Sequence, residues 1–425
     1  MTAPEPAPPQ AAPPQAEPQA KEARPEAPRP TPLRGIHERL GATLTSFAGW
    51  LMPLRYGSET AEHNAVRKAA GLFDLSHMGE ITVSGPDAGA ALDYALVGRL
   101  SALAPGRARY TMMCAEDGGI IDDLIVYRLG ITEFLVIANA ANTGVVTGEL
   151  RRRAAGHEAL ATDRTPEYAL IAIQGPHAAR ILAPLADIDL SGVKYYASHG
   201  ATVAGCAILL ARTGYTGEDG FELFCPAENA EHVWTVLAAA GAGDGLMPAG
   251  LAARDTLRLE AGMPLYGNEL GLDVTPHDAG LGRVVKFDKP GDFVGRAALA
   301  ARAQAPPRRT LVGLTGRSRR VPRHSYIVLW DGKKCGTVTS GAPSPTLGKP
   351  IALGYVNPDV AAIAGGVGGR EASSPQADTA GGAGGREASS PQADTAASRP
   401  GLTIDIRGRA EPADLVTLPF YQRAS

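Results

Sequence analysis

Along the chain, apolar and polar positions alternate with a period of two at residues 207–211 and 221–225, which predicts strands buried on one face. Residues 58–70 and 251–262 instead carry the three-to-four spacing of amphipathic helices. Hairpin-like strand pairs lie among the helices rather than in strict strand-helix-strand alternation, so the main body reads as α+β. A basic, proline-containing stretch at 305–309 interrupts that pattern. Beyond it come short strand candidates at 311–314, 325–330, 335–339, 351–356 and 402–406, with turn residues between them, the signature of a small β barrel. A boundary near residue 306 follows, with a main body over 34–305 and a barrel domain over 306–425.

Two segments carry no such pattern. Residues 1–33 are Pro, Ala, Glu and Gln with almost no large apolar side chain, so they bury too little surface to offset the entropy of ordering and read as a disordered tail. Residues 365–380 recur as 381–396 with only Val367 changed to Ala383. Their Gly, Ser, Ala and Pro content suits a flexible inserted linker, and two short copies do not build a solenoid.

A chain of 425 residues is too long for one hydrophobic core, which calls for two or three domains. Its 41 basic and 44 acidic residues leave a net charge of -3, without the basic excess that nucleic-acid binding uses. Cys114, Cys206, Cys225 and Cys335 are scattered and form no C-x-x-C pair, so they read as free thiols in a reducing compartment. No apolar run reaches the ~18 residues of a membrane span. Glu5, Glu17, Glu22 and Glu26 argue against an organellar transit peptide, so the expected location is cytoplasmic.

Several familiar chemistries lack their sequence marks. There is no G-x-S-x-G, no H-E-x-x-H and no dinucleotide glycine fingerprint; Gly241, Gly243 and Gly245 follow a helical pattern and read as a loop. Gly348-Lys349 resembles the end of a phosphate loop, but Pro350 replaces the magnesium-binding Ser or Thr. The nine histidines have no ligand-like spacing, so no metal is expected.

Three stretches remain. Asp122 and Asp123 precede the apolar run Leu124-Ile125-Val126-Tyr127, and strand alternation sends them to opposite faces: one can enter a cavity while the other meets solvent or caps a turn. Glu222 follows a glycine-studded turn that begins Arg212-Thr213-Gly214-Tyr215-Thr216-Gly217, and it faces away from Phe221 and Leu223. It is either a surface residue of a hairpin or a carboxylate that accepts paired hydrogen bonds from a pterin edge. Arg254 and Arg258 share a helical face, Asp255 can pair with Arg258, and Gly262 ends the helix. Alone, this helix reads as solvated and ion-paired.

Together these stretches resemble the glycine cleavage T-protein (aminomethyltransferase) family. The resemblance begins at Phe47-Ala48-Gly49-Trp50 and Phe73-Asp74-Leu75-Ser76-His77-Met78-Gly79-Glu80. It runs through residues 118–124, Gln174-Gly175-Pro176, the turn and the helix, then Leu265-Tyr266-Gly267, Phe293-Val294-Gly295 and Thr339-Ser340-Gly341, and resumes at Pro419-Phe420. It implies a three-domain cloverleaf: two ferredoxin-like α+β domains around a folate channel, plus a C-terminal β barrel. It also implies transfer of the methylene carbon of an aminomethyl group from the lipoyl arm of the H-protein to tetrahydrofolate, with release of ammonia and no metal.

By the same resemblance Asp123 is the catalytic carboxylate at the reacting folate nitrogens, with Asp122 its structural partner. Glu222 anchors the pterin, Arg254 lines the pocket, and Tyr110, Asn139 and Tyr195 fall among the channel walls. Two departures stand out. Gly282-Arg283 replaces the Ser-Trp of many members, which removes one aromatic wall or recruits it elsewhere, and the repeat interrupts the barrel. The related alternatives are a folate-dependent O- or S-demethylase and a non-enzymatic iron-sulfur maintenance protein. The latter family carries K-G-C-Y-x-G-Q-E where this chain has Gly214-Tyr215-Thr216-Gly217-Glu218. Sarcosine-type relatives need a flavin domain, whose fingerprint is missing.

Overall fold

The computed structural model describes residues 27–363 and 401–423. Two antiparallel-rich sheets and a closed barrel carry the architecture. The first sheet orders its five strands Ala108–Cys114, Ile120–Arg128, Glu133–Ala138, Gly79–Ser84 and Leu160–Asp163. The second orders six: Ser198–Val203, Cys206–Ala211, Gly220–Pro226, Tyr168–Gln174, Ala70–Asp74 and Leu246–Pro248. Since Ala70–Asp74 leads directly into Gly79–Ser84, and Leu160–Asp163 into Tyr168–Gln174, the two α+β units are interleaved in sequence.

Each sheet buries one face under helices. Trp234 and Leu237 of helix Ala230–Gly241 pack on the second sheet through Leu170's neighbours Ala169 and Ile171 and through Leu223. Helices Ala88–Ala95 and Thr143–Arg153 cover the first through Leu92, Val146 and Leu150. The other faces meet in a shared core containing Phe73, Leu75, Tyr127, Ile137, Leu170 and Phe224. Both faces of the central strands are therefore apolar, which is why a run such as Phe134 to Ala138 is buried without alternation.

The barrel closes in the order Thr310–Gly316, Lys349–Val356, Lys333–Ser344, Ile327–Trp330, Leu402–Asp405 and Ala410–Val416. Five of these strands match the sequence expectation in place and type; Ala410–Val416 was not anticipated, because Pro412 and Asp414 interrupt its apolar pattern. The tail expectation needs correcting at its end. Leu33 is fully buried in the core of the second unit, and Thr31 donates to Asp74 at 2.7 Å, so order begins before residue 33. The rest of that tail, residues 1–26, and the repeat at 365–396 lie outside the described residues.

Candidate active site

The gap between the two inner sheet faces opens into a channel. Asp123 enters it from strand Ile120–Arg128 and Glu222 from strand Gly220–Pro226, so each sheet contributes one carboxylate. Arg254 enters from helix Leu251–Glu260, and Leu418 and Pro419 arrive from the C-terminal end of the chain.

Two glycines hold the carboxylate strands where they are. A Cβ on Gly119 would stand 2.1 Å from the Leu272 carbonyl oxygen, and one on Gly220 would stand 2.5 Å from that of Ile173. Neither position has room for a side chain, so the turn before Asp122 and the strand before Glu222 approach their neighbours at backbone distance.

Alternation separates Asp122 from Asp123 as expected, but neither meets solvent on the outer face. Asp122 is fully buried and accepts from the Asn139 backbone N–H at 3.0 Å, Asn139 Nδ2 at 2.8 Å and Asn142 Nδ2 at 2.8 Å. It thereby fastens the 3₁₀ turn Ala140–Asn142 that leads into helix Thr143–Arg153, which is the cap role. Asp123 accepts from Tyr110 Oη at 2.9 Å and from Asn139 Nδ2 at 2.8 Å. Asn139 thus bridges the two carboxylates, a role its sequence context did not announce.

Burial raises the Asp123 carboxyl above its ordinary range, and the hydrogen bonds from Tyr110 and Asn139 only partly offset this. Burial and the neighbouring Asp123 charge push Asp122 up to about 7. The pair titrates as one unit, because two carboxylates this close cannot lose their protons independently. Burial also holds the Tyr110 hydroxyl well above its usual value, so it remains a donor.

Glu222 is buried rather than a surface hairpin residue. Thr213 Oγ1 donates to its Oε2 at 2.5 Å, and the Tyr127 hydroxyl lies 3.2 Å from the same oxygen. Its Oε1 has no partner among these contacts, and the residue lines the channel. Arg254 lies over the Tyr215 ring, 4.8 Å from its centroid, and forms no ion pair among the described residues. Its helical neighbour Arg258 does something different: it pairs with Asp255 at 2.7 Å and Glu269 at 3.1 Å and donates to Ser340 Oγ at 2.8 Å, tying the helix to the barrel. Arg258 is buried, so the helix is not the solvated one that its charges suggest.

Tyr110 and Asn139 line the channel together with Asp123. Tyr195 does not: the channel wall is Tyr196, and Tyr195 packs edge-on against it with ring centroids 5.0 Å apart. Tyr196 has a left-handed backbone (φ 57°), which turns the chain between the two rings just before strand Ser198–Val203. Sequence reasoning also passed over Tyr127, Tyr215 and Tyr266 as walls. Tyr266 and Leu281 line the channel, whereas Gly282 and Arg283 are not among its lining residues.

Comparisons with known proteins identify the family. Residues 33–289 match the family model described as the GCVT N-terminal domain, and residues 309–370 match the glycine cleavage T-protein C-terminal barrel domain. This chain belongs to the glycine cleavage T-protein family. Proteins named Aminomethyltransferase from Saccharopolyspora erythraea and Streptomyces coelicolor are 58% and 56% identical to it over 396 residues, which is 92% of this chain and 98% and 97% of theirs. The crystal structure of glycine cleavage system aminomethyltransferase T from Bartonella henselae matches with a TM-score of 0.78 and 34% identity, covering 93% of this chain and 98% of that one. The T-protein fold expected from the sequence, two α+β units and a closed six-stranded barrel, is therefore the fold observed. The demethylase and iron-sulfur maintenance alternatives are not favoured by these relatives.

Proposed function

We propose that this channel binds tetrahydrofolate with its pterin at Glu222 and its reacting nitrogens at Asp123. The activity is that of the family: an aminomethyltransferase of the glycine cleavage system, which moves a one-carbon unit to tetrahydrofolate. In the proposed reaction the donor is the aminomethyl group on the lipoyl sulfur of the H-protein. The carbon–sulfur bond and the carbon–nitrogen bond break, the carbon bridges N5 and N10 of the folate, and ammonia and a dihydrolipoyl arm leave.

The residues have distinct parts in this. Glu222 has one oxygen held by Thr213, and the other is free to accept from a pterin N–H edge. Tyr110 and Tyr215 offer ring faces for stacking on a flat heterocycle. Arg254 brings an unpaired positive charge that complements an anionic or polarised part of the substrate. Asp123, once ionised, aligns N10 and takes the proton that N10 loses as the new carbon–nitrogen bond forms. Asp122 and Asn139 position Asp123 and tune its proton affinity. The lipoylated H-protein and a cytoplasmic setting belong to the same reading, with neither nucleic acid nor membrane as a partner; among the described residues no helix is long and apolar enough to cross a membrane.

One observation carries this reading: carboxylates from two different sheets, at the two motifs that mark the family, line one channel. The test is formation of 5,10-methylenetetrahydrofolate from aminomethylated H-protein and tetrahydrofolate, with and without the chain. Product at the uncatalysed rate in its presence would refute the assignment.

A further inference from the structure

The inter-sheet gap does not end with the channel. Leu170 and Tyr168, and Ile137 and Leu135, are pairs two residues apart on one strand face, and in each the first lines the channel while the second lines a separate recess of about 190 Å³; Tyr196 lines the channel and Ser198, the first residue of the next strand, lines the recess. A step of two residues is roughly 6.6 Å along a strand, so the recess is the continuation of the same gap on the far side of the shared core. It opens past Glu133 and Gly200.

Glu80 projects into this recess from strand Gly79–Ser84. Its backbone is satisfied, donating to Thr165 Oγ1 at 3.0 Å and accepting from the Arg164 N–H at 2.8 Å. Its carboxyl group is fully buried, and neither oxygen has a hydrogen-bond partner among the described residues. Ser198 Oγ, buried in the wall of the same recess, is unpartnered as well. Buried polar atoms are nearly always hydrogen-bonded, so two in one recess mark a place built to hold something. The charged groups around Glu80 are Asp163, Asp74 and Glu133, with Arg164 already paired to Glu167. The local field therefore favours a cation that donates hydrogen bonds.

We propose that the recess is a binding site for ammonium, with Glu80 and Ser198 as its acceptors. The proposal does not rest on the reading above. In the uptake step the O–H bond of the Glu80 carboxyl group breaks and a fourth N–H bond forms on ammonia, leaving an ammonium–carboxylate pair with nothing oxidised or reduced. Burial, reinforced by Asp163 and Asp74, holds the free Glu80 carboxyl well above the usual carboxylate range, so it has a proton to give.

The test needs neither H-protein nor folate, so its failure leaves the proposed reaction standing. Thermal unfolding of the full chain at pH 8 is compared in ammonium, potassium and sodium chloride at equal ionic strength, and crystals are soaked in methylammonium chloride. The expected result is a Tm several degrees higher in ammonium than in the other two salts, lost in Glu80→Gln and reduced in Ser198→Ala. Methylammonium density should lie between Glu80 and Ser198. An equal effect of potassium, an ammonium effect that survives Glu80→Gln, or crystals without methylammonium in the recess would each overturn the assignment. The wild-type soak decides the matter if Glu80→Gln does not fold.

Discussion

Glu260 is a fully buried carboxylate between two helices and the barrel and Asp123 a half-buried one on the channel wall, and they are provided for in opposite ways. Glu260 is surrounded by donors, two of them basic side chains. Arg67 Nη2 lies 2.9 Å and His63 Nε2 3.1 Å from its Oε2, Ser344 Oγ donates to its Oε1 at 2.5 Å, and Thr346 gives both its hydroxyl and its backbone N–H. Burial alone would raise its pKa, but these hydrogen bonds outweigh burial and hold it down at about 2. Asp123 receives only the neutral Tyr110 hydroxyl and Asn139 amide, and burial prevails. A carboxylate paired with basic groups clamps two helices to the barrel and stays ionised at every relevant pH. One left with neutral donors keeps a proton affinity that chemistry can use.

That contrast can be broken most severely at the clamp. Glu260→Gln leaves Arg67 and His63 without their shared anion and should cost about 3–5 kcal/mol of stability, read as a lower denaturation midpoint. The sign of its pH dependence is fixed as well. A carboxyl depressed to about 2 contributes stability that is complete above its ordinary 4.5 and is lost as pH falls toward 2. The acid limb of stability in that window should therefore flatten in Glu260→Gln, and an unchanged limb would mean that the network is not electrostatic.

A smaller effect is expected at the channel's other carboxylate. Glu222→Gln keeps one acceptor but replaces the charge, so folate binding should weaken by roughly 1–3 kcal/mol in calorimetry while stability changes little. Unchanged affinity would return Glu222 to a purely structural role. Smaller still is the response of the Asp122 and Asp123 pair to pH. Asp123 must be ionised to accept a proton, and burial raises its carboxyl above the ordinary range, so the acid limb of kcat/KM should lie at higher pH than the titration of a free aspartate. Asp122→Asn removes the neighbouring charge, and the acid limb should move to lower pH. A limb that stays in place would show that the two carboxylates titrate independently.

The same contrast explains what the sequence made legible. Strand alternation at residues 221–225 and the helical spacing at 251–262 placed Glu222 and Arg254 on their elements, because those patterns depend only on local periodicity. The family motifs then joined Asp123 to them. What the sequence did not reveal depends on contacts between distant segments. Arg258 looks like an exposed charge until Glu269 and Ser340 close around it. Tyr196 in place of Tyr195 follows from one left-handed residue, which leaves no compositional trace in two adjacent tyrosines. Leu418 and Pro419 reach the channel only because the last barrel strand returns the chain to it. Glu80 was visible as the end of a motif, but its unpartnered carboxyl group became apparent only once both sheets were in place.

The most direct test of the central claim, that Asp123 accepts a proton while Glu260 serves only as a clamp, is single-turnover formation of 5,10-methylenetetrahydrofolate by the Asp123→Asn variant, with its folate affinity and Tm measured alongside. Asparagine keeps the shape of the side chain and can still bond to Tyr110 and Asn139, but it cannot take the N10 proton. The expected result is a rate lower by roughly 10²-fold or more, with folate affinity within a few-fold of wild type and an unchanged Tm. A variant that turns over at nearly the wild-type rate would contradict the account and remove Asp123 from the chemistry.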